Sequence, residues 1–110
     1  MKLPTRTIDG HLLITVYRTP PVAEAQELAA ALSRALAGHH GPVSVVDWRA
    51  GSLPLPYAEV LFRAQQQAAA SGSTLRVAAP TQLARGVLRF AVNDGVLHIH
   101  PSLSSALRTP

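Results

Sequence analysis

The sequence predicts a single α/β domain over residues 1–110: a mostly parallel, mixed sheet of about five strands, with an N-terminal hairpin at its edge and about four helices. Three observations carry that prediction. Short β-prone apolar runs alternate with longer stretches in which apolar residues recur at helical spacing, and strands joined through helices cross over and lie parallel. An Asp9-Gly10 pair joins the first two runs too tightly for a crossover, so those two are antiparallel. Of the 110 residues 47% are hydrophobic and 15% charged, which supplies a core and argues against intrinsic disorder.

The elements follow in order. Thr5 to Ile8 and His11 to Tyr17 are the arms of the hairpin, and Asp-Gly suits a type I′ turn because both central residues must accept positive φ. The second arm is almost continuously apolar, as expected of a strand covered on both faces. Thr19 is the expected N-cap of the first helix, with Pro20 at its first position. Val22, Ala25, Leu28, Ala29, Leu32 and Leu36 form its apolar stripe, and Gly38 ends it before a His39-His40-Gly41-Pro42 turn. Val43 to Trp48 is a short apolar strand that carries Asp47 near its end. A loop with Gly51, Pro54 and Pro56 leads to a second helix, from about Tyr57 to Ala70, with Tyr57, Val60, Leu61, Ala64 and Ala68 inward and Gly72 as its stop. Thr74 to Ala78 is the next strand. Pro80 and Thr81 open a third helix whose expected inner face is Leu83, Val87, Phe90 and Ala91, closed by Asn93-Asp94-Gly95. Val96 to His100 is the last strand, and Ser102 caps a short helix through Leu107.

Composition excludes several functions. With no cysteine there is no disulfide framework, thiol nucleophile or cysteine-ligated metal. No run of about 18 uncharged apolar residues is present to span a membrane. Lys2 and Arg6 are not followed by the apolar stretch of a secretory signal, so the expected location is the cytoplasm. A pI near 10.7 suggests nucleic acid, but the basic residues are dispersed, and only Arg85 and Arg89 must lie together on a helix. Aromatic residues at 5% are too few for stacking platforms. The basic excess reads as a solvated surface.

The order of these pieces resembles a known family. Asp9 to Leu32 is similar to the opening of STAS domains (named for sulfate transporters and anti-sigma factor antagonists): an Asp-Gly turn, an apolar strand, then an Ala- and Leu-rich helix. Val43 to Asp47 stands where the family has its central strand ending in Asp, and Tyr57 to Gly72 stands where it has the following helix and glycine. The best match is Leu75-Arg76-Val77, Arg85-Gly86-Val87-Leu88, Asp94-Gly95-Val96-Leu97, Ser102-Leu103 and Ala106-Leu107. Each piece is mostly apolar pattern and turns; their unbroken order over nearly the whole chain makes the resemblance.

The resemblance implies a non-catalytic regulatory module that resembles an anti-sigma factor antagonist. Its implied partner is a protein: an anti-sigma factor that is also a switch kinase, or another STAS-bearing chain. Two departures bear on the switch. Arg18-Thr19-Pro20-Pro21 replaces the usual Gly-Glu-Leu-Asp. The signature Asp-Ser-Ser-Gly loop, which carries the phosphorylated Ser or Thr at a helix start, is here Leu53-Pro54-Leu55-Pro56-Tyr57-Ala58. Proline has neither hydroxyl nor N–H, so the usual phosphoswitch is missing. Ser52 and Tyr57 are the nearest hydroxyls and the candidates for a displaced acceptor; the simpler alternative is a loop serine and a packed aromatic.

The residues themselves contain no catalytic set. There is no Gly-x-Ser-x-Gly elbow and no Gly-rich phosphate loop. His98 and His100 share a strand face, but no carboxylate and third histidine stand at a recognisable metal-ligand spacing, so neither metal nor cofactor is assigned. Asp47, at the C-terminal end of a buried strand, is the candidate for a ligand crevice; capping a turn is the simpler role. A small-ligand binder or enzyme using that crevice is the alternative to a protein-interaction module. Ser52 to Tyr57 is the candidate partner-binding segment. Two alternating prolines hold it extended, so that Leu53, Leu55 and Tyr57 either present an apolar anchor or fold back over the sheet end. The sequence leaves both readings open.

Overall fold

The computed structural model describes residues 3–39, 41–91 and 97–108, the side chain of residue 91 excepted. In chain order they form β1 (Thr5–Ile8), β2 (His11–Val16), a 3-10 turn (Val22–Glu24), α1 (Ala25–Ala37), β3 (Val43–Trp48), α2 (Leu55–Ala70), β4 (Thr74–Ala78), α3 (Gln82–Ala91), β5 (His98–His100) and α4 (Leu103–Arg108). The five strands lie side by side in sequence order. β1 runs antiparallel to β2, and β2 to β5 are parallel, so the predicted α/β class and mixed sheet are borne out. The hairpin turns through positive φ at Asp9 (50°) and Gly10 (81°), the backbone that an Asp-Gly pair tolerates best.

Side chains alternate across the sheet and so define two unequal faces. On one face Leu12, Ile14 and Val16 of β2, Val46 and Trp48 of β3, and Leu75 and Val77 of β4 meet Leu28, Leu32 and Leu36 of α1. The same cluster takes in Tyr57, Leu61, Ala64 and Ala68 of α2 and Ala84 and Leu88 of α3. The other face is smaller: Leu13, Val43, Val45 and Ala78 pack against Ala106 of α4, with Leu103 and Leu107 beside it. β3 is buried along its whole length, as a central strand between two covered faces must be.

Four expectations are corrected. First, Thr19 does not cap α1. A proline disfavours helical backbone in the residue before it, and Pro21 is itself extended (φ −56°, ψ 145°), so the helix begins only after Pro21, through the 3-10 turn. Thr19 turns its hydroxyl to Ser52 instead, 2.8 Å from the Ser52 carbonyl and 3.0 Å from its Oγ. Val22, expected inward, is exposed, and Ala31 is buried in the stripe. Second, Tyr17 falls outside β2 and is 62% exposed. Third, α2 begins at Leu55, ahead of the expected Tyr57, with Pro54 before it and Pro56 in its first turn, where a missing N–H removes no helical bond.

The fourth correction is the rotation of α3. Ala84 and Leu88 face the core and Val87 is half-buried, while Leu83 and Phe90 stand 69% and 85% exposed. Thr81 Oγ1 accepts from the Ala84 N–H, and Arg85 reaches back to the Ala79 and Pro80 carbonyls. Those anchors set the rotation, and the small Ala84 allows close approach to the sheet. Two stripes at helical spacing, one through Leu83 and one through Ala84, compete in the sequence, and only the anchors choose between them. The side chain of Ala91, the Asn93-Asp94-Gly95 stop and Val96 lie outside the described residues, as does His40. β5 begins at His98, with Leu97 buried just before it. The stop of α2 at Gly72 is as predicted, with Ser73 N–H closing onto the Ala68 carbonyl at 2.9 Å.

Candidate functional site

The β3–α2 connection is built from the inside outward. Trp48, fully buried at the end of β3, donates its indole N–H to the Ser52 carbonyl at 2.9 Å. Its ring packs on Tyr57 with centroids 5.8 Å apart and planes tilted by 43°, an arrangement aromatic pairs favour. The Tyr57 hydroxyl donates to the carbonyls of Pro20 and Pro21. Burial, with the negative charge of Glu24, pushes the Tyr57 phenol above its ordinary pKa, so the ring keeps its proton. Side chains thereby tie the β2–α1 and β3–α2 connections together at two places, Thr19 to Ser52 and Tyr57 to the two prolines, while the Trp48 bond to Ser52 braces the β3–α2 connection from within.

The structure divides the segment Ser52 to Tyr57. Leu53 (2% exposed) and Tyr57 (0%) fold back into the core, while Ser52, Leu55 and Pro56 are exposed and Pro54 is half-buried. The reading in which these side chains fold back over the sheet end therefore holds for Leu53 and Tyr57, and Leu55 stays in solvent. Of the two candidate acceptors, Tyr57 has no exposed surface and its hydroxyl is engaged; Ser52 stands in solvent. The start of α2 is poor in donors. Pro54 and Pro56 have no N–H, and the Tyr57 N–H is spent on the Pro54 carbonyl at 2.9 Å.

Apart from Leu83 and Phe90 on α3, the large apolar side chains left in water among the described residues gather at one end of the sheet, around this helix start. Tyr17 follows β2, Val22 precedes α1 and Leu55 opens α2, at 62%, 53% and 53% exposure. In a parallel sheet every strand-to-helix connection lies at the same end. A shallow groove of about 390 Å³ runs there between Tyr17, Arg18, Pro20, Pro21 and Glu24.

Asp47 lies on the opposite face of the sheet from Trp48. It is 2% exposed and opens into a second groove, where Arg49 Nη1 stands 3.9 Å from Asp47 Oδ2. Burial raises the Asp47 carboxyl above its ordinary value, and Arg49 and Arg6 partly oppose that. Sequence reasoning found Asp47 but missed Thr15, its register partner on β2, because only strand pairing brings them together. His98 and His100 share the α4 face as predicted by alternation, and His100 Nδ1 lies 3.2 Å from the Ser105 hydroxyl.

Burial holds the His100 imidazole below its ordinary 6.5, with Arg76 and His98 adding to the effect. The unfolded chain therefore takes up a proton near 6.5 that the folded state takes up only at lower pH. Stability is expected to fall as pH drops below about 6.5 and to be regained above it. Melting temperatures at a series of pH values check this: His100→Gln should flatten that part of the profile, and an unchanged slope would refute it.

No protein-family profile matches the sequence, and no curated protein matches it. Solved structures do. An RsbS variant from Moorella thermoacetica aligns over 96% of this chain and 91% of its own, with a TM-score of 0.76 and 13% identity. The solution structure of the protein TM1081 covers 94% and 84% at a TM-score of 0.75 and 14% identity. A chain from the stressosome, described as a signal integration and transduction hub, covers 94% and 92% at 0.72 and 14%. At such identities the likeness is one of fold. The five-stranded mixed sheet, its antiparallel opening hairpin and its four helices have the STAS fold.

Proposed function

We propose that the protein is a non-catalytic, cytoplasmic regulatory module of the anti-sigma factor antagonist type, which binds a protein partner through the surface around the start of α2. The partner is a switch kinase that acts as an anti-sigma factor, or another STAS-bearing chain. The observation that carries the reading is Leu55: an exposed apolar side chain on a helix start held rigid by Pro54 and Pro56, at the sheet end that also exposes Tyr17 and Val22. Rigid apolar and aromatic side chains lose little entropy on docking and make effective anchors. Ser52, Pro54 and Pro56 form the rim, while Leu53 and Tyr57 support it from beneath. The structural likeness to RsbS and to a stressosome chain supports the same reading.

Binding here is not gated by phosphate. A phosphoryl group at a helix start is stabilised by free N–H groups and the helix dipole. Two prolines and the Pro54–Tyr57 turn leave few of those donors at α2, and Tyr57 is enclosed.

The test uses purified protein and partner proteins encoded beside its gene. Leu55→Glu is expected to weaken association by at least about tenfold while changing the melting temperature little, because the side chain lies outside both core clusters. Incubation with a partner kinase and ATP should leave residues 52–57 unphosphorylated by mass spectrometry. Stoichiometric phosphate there would overturn the ungated reading, and wild-type affinity in the Leu55 variant would overturn the assigned surface.

A further inference from the structure

Among the described residues α4 is the helix on the face of the sheet away from α1, α2 and α3, and it lies mainly over β3, β4 and β5. Leu103 of α4 reaches the edge of the β1–β2 margin of that face. An open groove of about 180 Å³ lies in this margin, with Arg6, Thr15, Tyr17, Asp47, Arg49 and Leu103 among its walls. Thr15 and Asp47 sit side by side on β2 and β3, 8% and 2% exposed. Neither side chain receives a hydrogen bond from the described residues. The 3.9 Å to Arg49 is Coulombic contact beyond hydrogen-bond reach.

A largely buried carboxylate needs donors. The little surface Asp47 keeps opens into the groove, so whatever donates to it comes from there. The groove therefore has acceptors waiting at its floor. At its rim it has two guanidinium groups, Arg6 and Arg49, both solvent-exposed. A simple anion entering the groove meets Asp47, and a simple cation meets the two arginines. A molecule that carries both charges a few atoms apart meets neither conflict.

We propose that this groove binds a small zwitterion of the α-amino acid class. Its ammonium donates to Asp47 Oδ2 and to the Thr15 hydroxyl oxygen, and its carboxylate accepts from Arg49 and Arg6, whose planar forks suit a carboxylate. Tyr17 and Leu103 flank the side chain of the ligand. The volume agrees: it is below the roughly 300–1,000 Å³ of pockets for drug-sized molecules and leaves room for an amino acid. The site lies on the α4 face, and it stands or falls independently of partner binding at the start of α2.

The experiment is an amide shift titration of the isotope-labelled protein with pools of the common L-amino acids, and in parallel with methylammonium chloride and sodium acetate. Saturable shifts centred on Thr15, Asp47 and Arg49 are expected with at least one pool, and no saturable shift there with either singly charged probe. Asp47→Asn keeps the shape of the floor, removes its charge and is expected to weaken binding by about tenfold or more. Arg6→Ala, at an exposed position that holds no part of the core, should weaken it several-fold and serves if the Asp47 variant folds poorly. The proposal is overturned by any of three results: no saturable shift with any pool, undiminished binding in the Arg6 variant, or saturation of the same amides by acetate or methylammonium alone.

Discussion

Trp48→Ala is expected to cost about 3–5 kcal/mol of folding stability, the usual range for deleting a fully buried tryptophan. Single domains hold only about 5–15 kcal/mol in total, so the variant should be close to unfolding. Three losses combine. The indole leaves a cavity against α2; its stacking with Tyr57 disappears; and the Ser52 carbonyl loses one of its two donors. A melting temperature lowered by well over 10 °C is the expected reading, at about 4–8 °C per kcal/mol for a chain of this size. Trp48→Phe separates the causes. It keeps most of the packing and removes the N–H, and should cost nearer 1 kcal/mol. Urea titration of both variants checks the pair, and an alanine variant within about 1 kcal/mol of wild type would show that Trp48 is not what holds the β3–α2 connection in place.

Gly41→Ala is the second large effect, expected at about 1–3 kcal/mol through overpacking. A methyl group on Gly41 would stand 2.5 Å from the Gly10 carbonyl oxygen, and 2.6 Å from His39 Nε2. The His39 ring can swing away. The Gly10 carbonyl belongs to the turn of the β1–β2 hairpin, so moving it disturbs the turn itself. The control is Gly51→Ala, where an added methyl group meets nothing within 4 Å and stability should change little. Thermal melts of the two variants decide the matter: equal melting temperatures would mean that the hairpin yields cheaply to the loop before β3.

How legible the fold was in the sequence depends on the kind of information each element needs. β2, β3 and β4 are short runs rich in β-prone apolar residues and α2 a clean helical stripe, and these local patterns survive folding because burial rewards them wherever the elements pack. The helix starts were less legible. Thr19-Pro20 has the form of a cap, yet the second proline carries the extended backbone past it and Tyr57, 36 residues away, holds the Pro21 carbonyl. In α3 two apolar stripes fit the helical period, and the choice of Ala84 over Leu83 rests on contacts with the β4–α3 turn that no local pattern encodes.

The candidate site divides in the same way. The prolines at 54 and 56 and the absence of an acceptor between them are facts of sequence and need no coordinates. That Leu53 and Tyr57 go inward while Leu55 stays out follows from the phase of α2, which begins at Leu55 and turns Tyr57 toward Trp48.

By itself the sequence determined the class of fold, the hairpin, the order of strands and helices and the two prolines around Leu55, because each is written in residues near one another in the chain. Only the tertiary structure decided which apolar side chains remain in water at the sheet end, and that Asp47 lies beside Thr15 beneath Arg6 and Arg49. Those groupings depend on strand register and helix rotation. Both are set by packing between residues far apart in sequence, which a local pattern cannot express.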